Sequence, residues 1–275
     1  MLLRALITTG TGCMTMIIIK TPQELQLMRE SNRLVAEALQ ELKKLVVADI
    51  TTEDLDRFAE DFIRRRGAQP AFKGYRGYPA SLCVSVNEEI VHGIPSKKKL
   101  RDGDIVSLDL GVLMNGFYGD AAITVPVGSV SPQVQKLLQA TEESLYRGIA
   151  QAKVGNRLLD ISRAIQTAVE SRGFSVVRDF VGHGIGKNLH EEPQIPNFYS
   201  ATAHNPRLQE GMVFALEPMV NEGTHKMKIL SDEWTAVTAD RKLSAHFEHT
   251  IAITGSGPWI LSNPDHESTA LPLAG

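Results

Sequence analysis

The chain has 275 residues, 43% hydrophobic and 22% charged, ordinary proportions for one large globular domain or two small ones. Its formal net charge of −3 gives no electrostatic ground for nucleic acid as the main partner. Cys13 and Cys83, the two cysteines, make neither a metal-ligand spacing nor a disulfide framework, which suits a reducing compartment.

Ala5 to Ile19 carries no charge and is flanked by Arg4 and Lys20. Threonines and glycines dilute its apolar centre, and it is shorter than the ~20 apolar residues that span a bilayer. Residues 1–16 therefore read as a flexible extension rather than a signal peptide, and a cytoplasmic protein with no membrane partner is expected. Thr21-Pro22-Gln23-Glu24 is a capping box with proline at the first helical position, and Leu25, Met28, Val35, Leu39 and Leu42 follow at helical spacing to about Val46. Thr51 to Asp54 starts a second helix with Leu55, Phe58, Phe62 and Ile63 inward. Arg64, Arg65 and Arg66 close it as a solvated helix end rather than a nucleic-acid site.

Strands follow in "ASLCVSVNEEIVHGIP" and "DIVSLDLGVL", then "GFYGDAAITV" after the hairpin signal Asn115-Gly116. Ser131-Pro132 opens a third helix bearing Val134, Leu137, Leu138, Leu145 and Ile149. A fourth carries Leu159, Ile161, Ile165, Ala168 and Val169 and ends at Gly173. The strands "SVVRDFVGHG", "GMVFALEPMV", "WTAVT" and "SAHFEHTIAIT" complete the chain. Two helices then strands occur twice, each time with a His-Gly-Ile, at His92 and at His183, which hints at an internal duplication. A site between the two sheets would follow.

A two-residue turn at Asn115-Gly116 makes Met114 face Phe117, Asp109 face Ala122 and Gly111 face Asp120. Both aspartates then point to one side as diagonal neighbours, and a slip of one residue would separate them. Gly111 opposite Asp120 is expected to leave the space open. Antiparallel sheets often expose one face, so two carboxylates on a hairpin can mean only a wet surface. The anomaly repeats, however, at Glu217, which ends the apolar "VFALE", and at Glu248 in "HFEHTIAI", with His183 framed by glycines in "VGHGIG". Four carboxylates with one imidazole and no thiolate suit Mn²⁺, Fe²⁺, Co²⁺ or Zn²⁺, and about two such ions would be needed to offset their repulsion. Metal-assisted hydrolysis is the reaction class. "HEEPQ" at His190 lacks the second histidine of a zincin helix, and no nucleophile elbow or P-loop is present.

"NEEIVHGIP", "DIVSLDLGVLMNGFYGDAAITV", "VGHGIGKNLHEEPQIPN", "GMVFALEPMV" and "SAHFEHTIAIT", in this order, resemble the type I methionine aminopeptidases in their short bacterial form, from about Ile17 to Thr254. The resemblance implies an α+β pita-bread fold of two pseudo-symmetric halves, about 17–126 and 131–255, in one catalytic domain over 17–275. It implies that Asp109, Asp120, His183, Glu217 and Glu248 ligate two divalent ions, Co²⁺, Mn²⁺, Fe²⁺ or Zn²⁺, with Asp120 and Glu248 bridging. His92 and His190 would contact substrate, and Glu217 would also carry the proton. The activity implied is removal of the initiator methionine from nascent proteins whose second residue is small, by attack of a bridging hydroxide on the first peptide bond. Tyr75, Tyr78, Cys83, Leu189 and Trp234 would line the methionine pocket, although each can equally be core. Leu189 replaces an aromatic residue usual in the family, and Arg76 a histidine or asparagine. The protein would act as a monomer on nascent peptides, with the ribosome as a further candidate partner and nucleic acid not a substrate. Two alternatives stand beside this: a proline-specific peptidase of the same fold, and a non-catalytic binding module.

Overall fold

The computed structural model describes residues 16–264; of the extension expected over 1–16, all but Met16, Cys13 included, lies outside the described residues. Helix α1 spans Pro22–Leu45 and starts where the capping box requires. The Thr21 hydroxyl accepts from the Glu24 N–H at 3.2 Å, and Glu24 accepts from the Thr21 N–H at 3.0 Å. Helix α2, Thr52–Arg65, repeats the device with Thr51 and Asp54. Its arginines end it in solvent: Arg64 and Arg65 pair with Glu60 and Asp61 one turn back, and Arg66 lies over the Phe62 ring. The first half continues with strands β1 (Gln69–Pro70), β2 (Leu82–Val86), β3 (Glu89–Val91), β4 (Ile105–Met114) and β5 (Phe117–Pro126). The second half holds α3 (Pro132–Ile149), α4 (Leu158–Glu170), β6 (Ser175–Val176), β7 (Val181–Gly184), β8 (Glu191–Pro196), β9 (Val213–Leu216) and β10 (Met219–Asn221). Strands β11 (Met227–Ile229), β12 (Ala236–Thr238), β13 (Ser244–His246), β14 (Glu248–Thr254) and β15 (Gly257–Ile260) follow.

A nine-stranded antiparallel sheet runs β1-β4-β5-β14-β9-β7-β8, with β2 added on β4 and β15 on β14. Two three-stranded sheets, β13-β10-β6 and β11-β12-β3, flank it. Apolar residues of α1 and α2 pack on β2, β4 and β5, and those of α3 and α4 pack on β8, β9 and β14, so each half has its own core. The sheet is covered on one face by helices and on the other by the lining of a cavity. That is why β2 is buried at every position instead of alternating.

The halves meet where β5 lies against β14, and this ladder is short: Glu248 faces Ala122 and His249 faces Ala121. Threonine hydroxyls extend it at both ends. Thr124 Oγ1 donates to the His246 carbonyl at 2.7 Å and accepts from the His246 N–H at 2.8 Å. Thr250 Oγ1 donates to the Asp120 carbonyl at 2.7 Å.

Two kinds of expectation change. "SVVRDFVGHG", "GMVFALEPMV" and "SAHFEHTIAIT" are not single strands: β6, β10 and β13 pair in one small sheet while β7, β9 and β14 join the large sheet, so the chain crosses between sheets within each segment. The space at Gly111 is not open. The Ala71 N–H donates to the Gly111 carbonyl, and a Cβ on Gly111 would meet the Phe72 ring at 2.5 Å and the Ala71 methyl at 2.8 Å. Glycine is there because the segment after β1 packs across it.

Candidate metal centre

The hairpin has the expected register. Asn115 and Gly116 take φ of 53° and 78°, as a two-residue turn that matches strand twist requires. Met114 faces Phe117, Asp109 faces Ala122 and Gly111 faces Asp120. Asp109 and Asp120 therefore share a face. Glu248 is the first residue of β14, directly across from Ala122, and His183 sits on β7 opposite Ala215 of β9. Glu217 follows the last residue of β9, with its carbonyl held by the Asn197 amide at 3.0 Å. Five side chains, on or directly after five neighbouring strands, β4, β5, β14, β9 and β7, thus converge on the midline of the sheet.

Asp120, His183 and Glu248 each bring a ligand-capable atom within 4.8 Å of the others, and all three are buried. His183 Nε2 lies 3.6 Å from Glu217 Oε1 and 3.9 Å from Asp120 Oδ2. Asp109 raises the pKa of Asp120, Glu217 and Glu248 through its charge, so it belongs to the same electrostatic cluster. Burial is the main cause for all four carboxyls. It lifts Asp109 to about 7 and pushes Asp120, Glu217 and Glu248 well above the usual carboxylate range. Burial acts oppositely on His183, lowering it to about 4, so its ring is neutral at pH 7. His183 Nδ1 sits 2.8 Å from the Gly184 carbonyl, which can only accept. The proton is thereby assigned to Nδ1, and Nε2 presents a lone pair toward the carboxylates.

Asp109 Oδ1, Asp120 Oδ1 and Glu248 Oε1 are buried with no hydrogen-bond partner among the described residues. Carboxylate oxygens stranded in this way are costly unless a cation faces them. The donor set of oxygens with one neutral imidazole nitrogen fits a hard or borderline divalent ion.

All twelve residues singled out from the sequence line one cavity of about 520 Å³. The His92, Tyr75, Tyr78, Cys83, Leu189, His190 and Trp234 side chains form its walls around the carboxylates. His190 stacks on His183 with ring centroids 4.2 Å apart, and its Nδ1 lies 2.9 Å from the Tyr75 hydroxyl. Burial, with the charges of His183, Arg76 and His92, lowers His190 to about 3; burial alone lowers His92 to about 4. His92 has φ of 60°, a costly conformation outside glycine. A Cβ on Gly93 would come 2.2 Å from the Val84 carbonyl oxygen, so the His-Gly pair lets the backbone close on β2. The Tyr78 hydroxyl donates to the Gly93 carbonyl at 2.9 Å, and Trp234 packs edge-on against Tyr78 and His92. Asp232 holds Trp234 in place by accepting the Trp234 and Thr235 N–H groups. Cys83 is fully buried, and burial raises its thiol well above the ordinary value, so it offers no thiolate.

Sequence reasoning missed Phe72, Phe180 and His246. Phe72 and Phe180 line the cavity, and the Phe180 ring meets His92 edge-on at 5.2 Å. His246 is buried with neither ring nitrogen hydrogen-bonded among the described residues, and its Nε2 is 3.9 Å from Glu248 Oε2. Its place two residues before Glu248 was the only signal. The larger groove between α3 and α4 offers no comparable chemistry, because its Glu143 is already bridged by Arg147 and Arg172.

Carboxylates gathered from both halves onto one buried point, beside a cavity wide enough for a side chain, define a metallohydrolase of the pita-bread type. Residues 26–255 match metallopeptidase family M24. The chain is 57% identical over 247 residues to methionine aminopeptidase 1 of Bacillus subtilis (strain 168), covering 90% of this chain and 99% of that protein. It is 55% identical, with the same coverage, to methionine aminopeptidase of Clostridium perfringens (strain 13 / Type A). Methionine aminopeptidase from Rickettsia prowazekii superposes with a TM-score of 0.87 at 40% identity, over 90% of this chain and all of that one. The chain belongs to metallopeptidase family M24, and within it to the methionine aminopeptidases. Prolidase from Pyrococcus furiosus shares the fold, with a TM-score of 0.75 at 22% identity over 91% of this chain and 66% of that one.

Proposed function

We propose that the cavity removes the N-terminal methionine of nascent proteins whose second residue is small. Asp109, Asp120, His183, Glu217 and Glu248 hold two divalent cations, from among Mn²⁺, Co²⁺, Fe²⁺ and Zn²⁺. The observation that carries this is the set of buried, unpartnered carboxylate oxygens on residues gathered around the His183 imidazole. Such cations, when bound, lower the pKa of water and polarise a carbonyl.

The protein's own groups supply the rest. Glu217 takes a proton on its carboxylate from the attacking water and returns it to the leaving amine. The Tyr75 hydroxyl is placed to donate to His190 Nδ1, which would leave the Nε2–H to donate to the scissile carbonyl oxygen as charge develops there. His92, neutral at pH 7, hydrogen-bonds the scissile amide. Tyr75, Tyr78, Cys83, Leu189, Trp234 and Phe72 surround the methionine thioether, whose flexibility suits a wall of aromatic and aliphatic groups. Residues 17–275 form the one catalytic domain. The protein works as a cytoplasmic monomer, with the ribosome, where its substrates emerge, as a docking partner.

A peptide panel tests this reading. Chelator-treated protein given Mn²⁺ or Co²⁺ is expected to release methionine from Met-Gly and Met-Ala peptides, and to leave x-Pro peptides intact. Cleavage of x-Pro substrates alone would assign it to proline-specific peptidases, and no turnover with any metal would make it a binding module.

A further inference from the structure

Lys20 precedes α1 at the beginning of the described chain, yet its side chain is only 3% exposed. It pairs with Glu191, equally buried and distant in sequence, and its ammonium also donates to the Ile18 carbonyl at 3.1 Å. Two glycines are shaped around it. A Cβ on Gly186 would come 2.5 Å from Lys20 Cε and 2.6 Å from Glu191 Oε1. A Cβ on Gly211, whose φ is +85°, would come 2.6 Å from the Lys20 carbonyl oxygen, and the Lys20 N–H donates to the Gly211 carbonyl at 2.8 Å. The fold thus makes a fitted slot for one lysine.

A buried ion pair contributes little net stability, because desolvation offsets the attraction, but it does fix geometry where its partners are otherwise satisfied. Glu191 follows His190, opens β8 and faces Gly184, the residue after His183. Its Oε1 also accepts the Asn188 N–H at 3.3 Å. One carboxylate therefore closes the base of loop 185–190, which carries Leu189 and His190, and one ammonium from the N-terminal segment holds that carboxylate.

We propose that Lys20 is a positioning residue for the active site: it pins Glu191 and, through it, the loop that presents Leu189 and His190 to the substrate. This rests on the reading of those two residues as substrate contacts. Removing the ammonium alone strands a buried carboxylate, which the loop must move to solvate. Removing both charges leaves a neutral pair that can stay packed.

Lys20→Met, Glu191→Gln and the double variant K20M/E191Q separate this from a general loss of structure. Hydrogen exchange of the 185–190 amides should quicken in Lys20→Met and return toward wild type in the double variant. On a Met-Ala peptide, Lys20→Met should lose ~10- to 100-fold in kcat/KM, the double variant should regain most of it, and calorimetric Mn²⁺ binding should be unchanged in both. Unchanged loop exchange in Lys20→Met would overturn the proposal whatever the activity. So would single-variant losses that simply add in the double variant, or Mn²⁺ binding lost in parallel. A wild-type protein that releases no methionine would instead overturn the functional reading, leaving loop exchange to decide this one.

Discussion

Tyr75 shows how single side chains set the chemistry of this pocket. Its hydroxyl lies 2.9 Å from His190 Nδ1, and by donating there it would leave the neutral ring's N–H at Nε2, on the cavity side. Tyr75→Phe keeps the ring that stacks on His190 and deletes only the hydroxyl. It should lower kcat on a Met-Ala peptide by roughly tenfold, corresponding to one hydrogen bond of about 1–1.5 kcal/mol, with KM and cation binding little changed. Steady-state kinetics on the purified variant check this, and a raised KM at constant kcat would place Tyr75 in binding instead. Residue types were the most legible feature of the sequence. Carboxylates where a strand should be apolar, at Asp109, Asp120, Glu217 and Glu248, mark themselves against a two-residue period. His246 does not, because a buried histidine in a strand looks the same whether or not its nitrogens have partners. Lys20 and Glu191 were illegible for another reason: nothing local tells a lysine before a helix that it will be buried.

Strand pairing decides whether the proposed ligands meet. Asp120 on β5 and Glu248 on β14 belong to different halves, and these two strands are held together by a ladder of two residue pairs and two threonine hydroxyls. Thr250 ties its own strand to the backbone of Asp120, two residues from Glu248. Thr250→Val preserves shape and removes that hydroxyl. The expected result is a loss of ~1–3 kcal/mol in urea unfolding, weaker Mn²⁺ binding by calorimetry, and recovery of both in Thr250→Ser. Lost stability with unchanged Mn²⁺ affinity would make the hydroxyl merely structural. At this scale the sequence was readable where contacts are local, as with the β4–β5 hairpin and its turn at Asn115-Gly116. It was not readable where a partner comes from elsewhere. The break between β6 and β7 follows from pairing with β10 and β9, and Gly111 is explained by Phe72. Neither partner lies in the same stretch of chain.

Across the whole molecule, the buried carboxyls make stability depend on pH and on cations. Their folded pKa values are raised, Asp109 to about 7, so the folded state holds protons more tightly than the unfolded state. Stability from these groups is present at low pH and is lost as pH rises from the ordinary carboxylate range through the folded values. Buried neutral histidines act the other way: His92 and His183 near 4, His190 and His246 near 3. Their contribution is complete above the unfolded value of ~6.5, so only the carboxyls count from there upward. Metal-free protein should therefore show a falling urea midpoint between about pH 6.5 and 8.5, and saturating Mn²⁺ should stabilise it more at the upper end. A flat or rising midpoint would contradict this assignment. The two-halved plan was legible because two helices followed by strands occur twice; the convergence of both halves on one point required the sheet order.

The most direct measurement is methionine release from a Met-Ala peptide while Mn²⁺ is titrated into chelator-treated wild-type protein, Asp109→Ala and Glu217→Ala. The wild type should be silent without metal and gain activity that saturates by about two equivalents, while both variants stay at least ~100-fold lower at every Mn²⁺ level. Release that survives chelation, or that is undiminished in either variant, would contradict the assignment of this cavity as a cation-dependent methionyl exopeptidase.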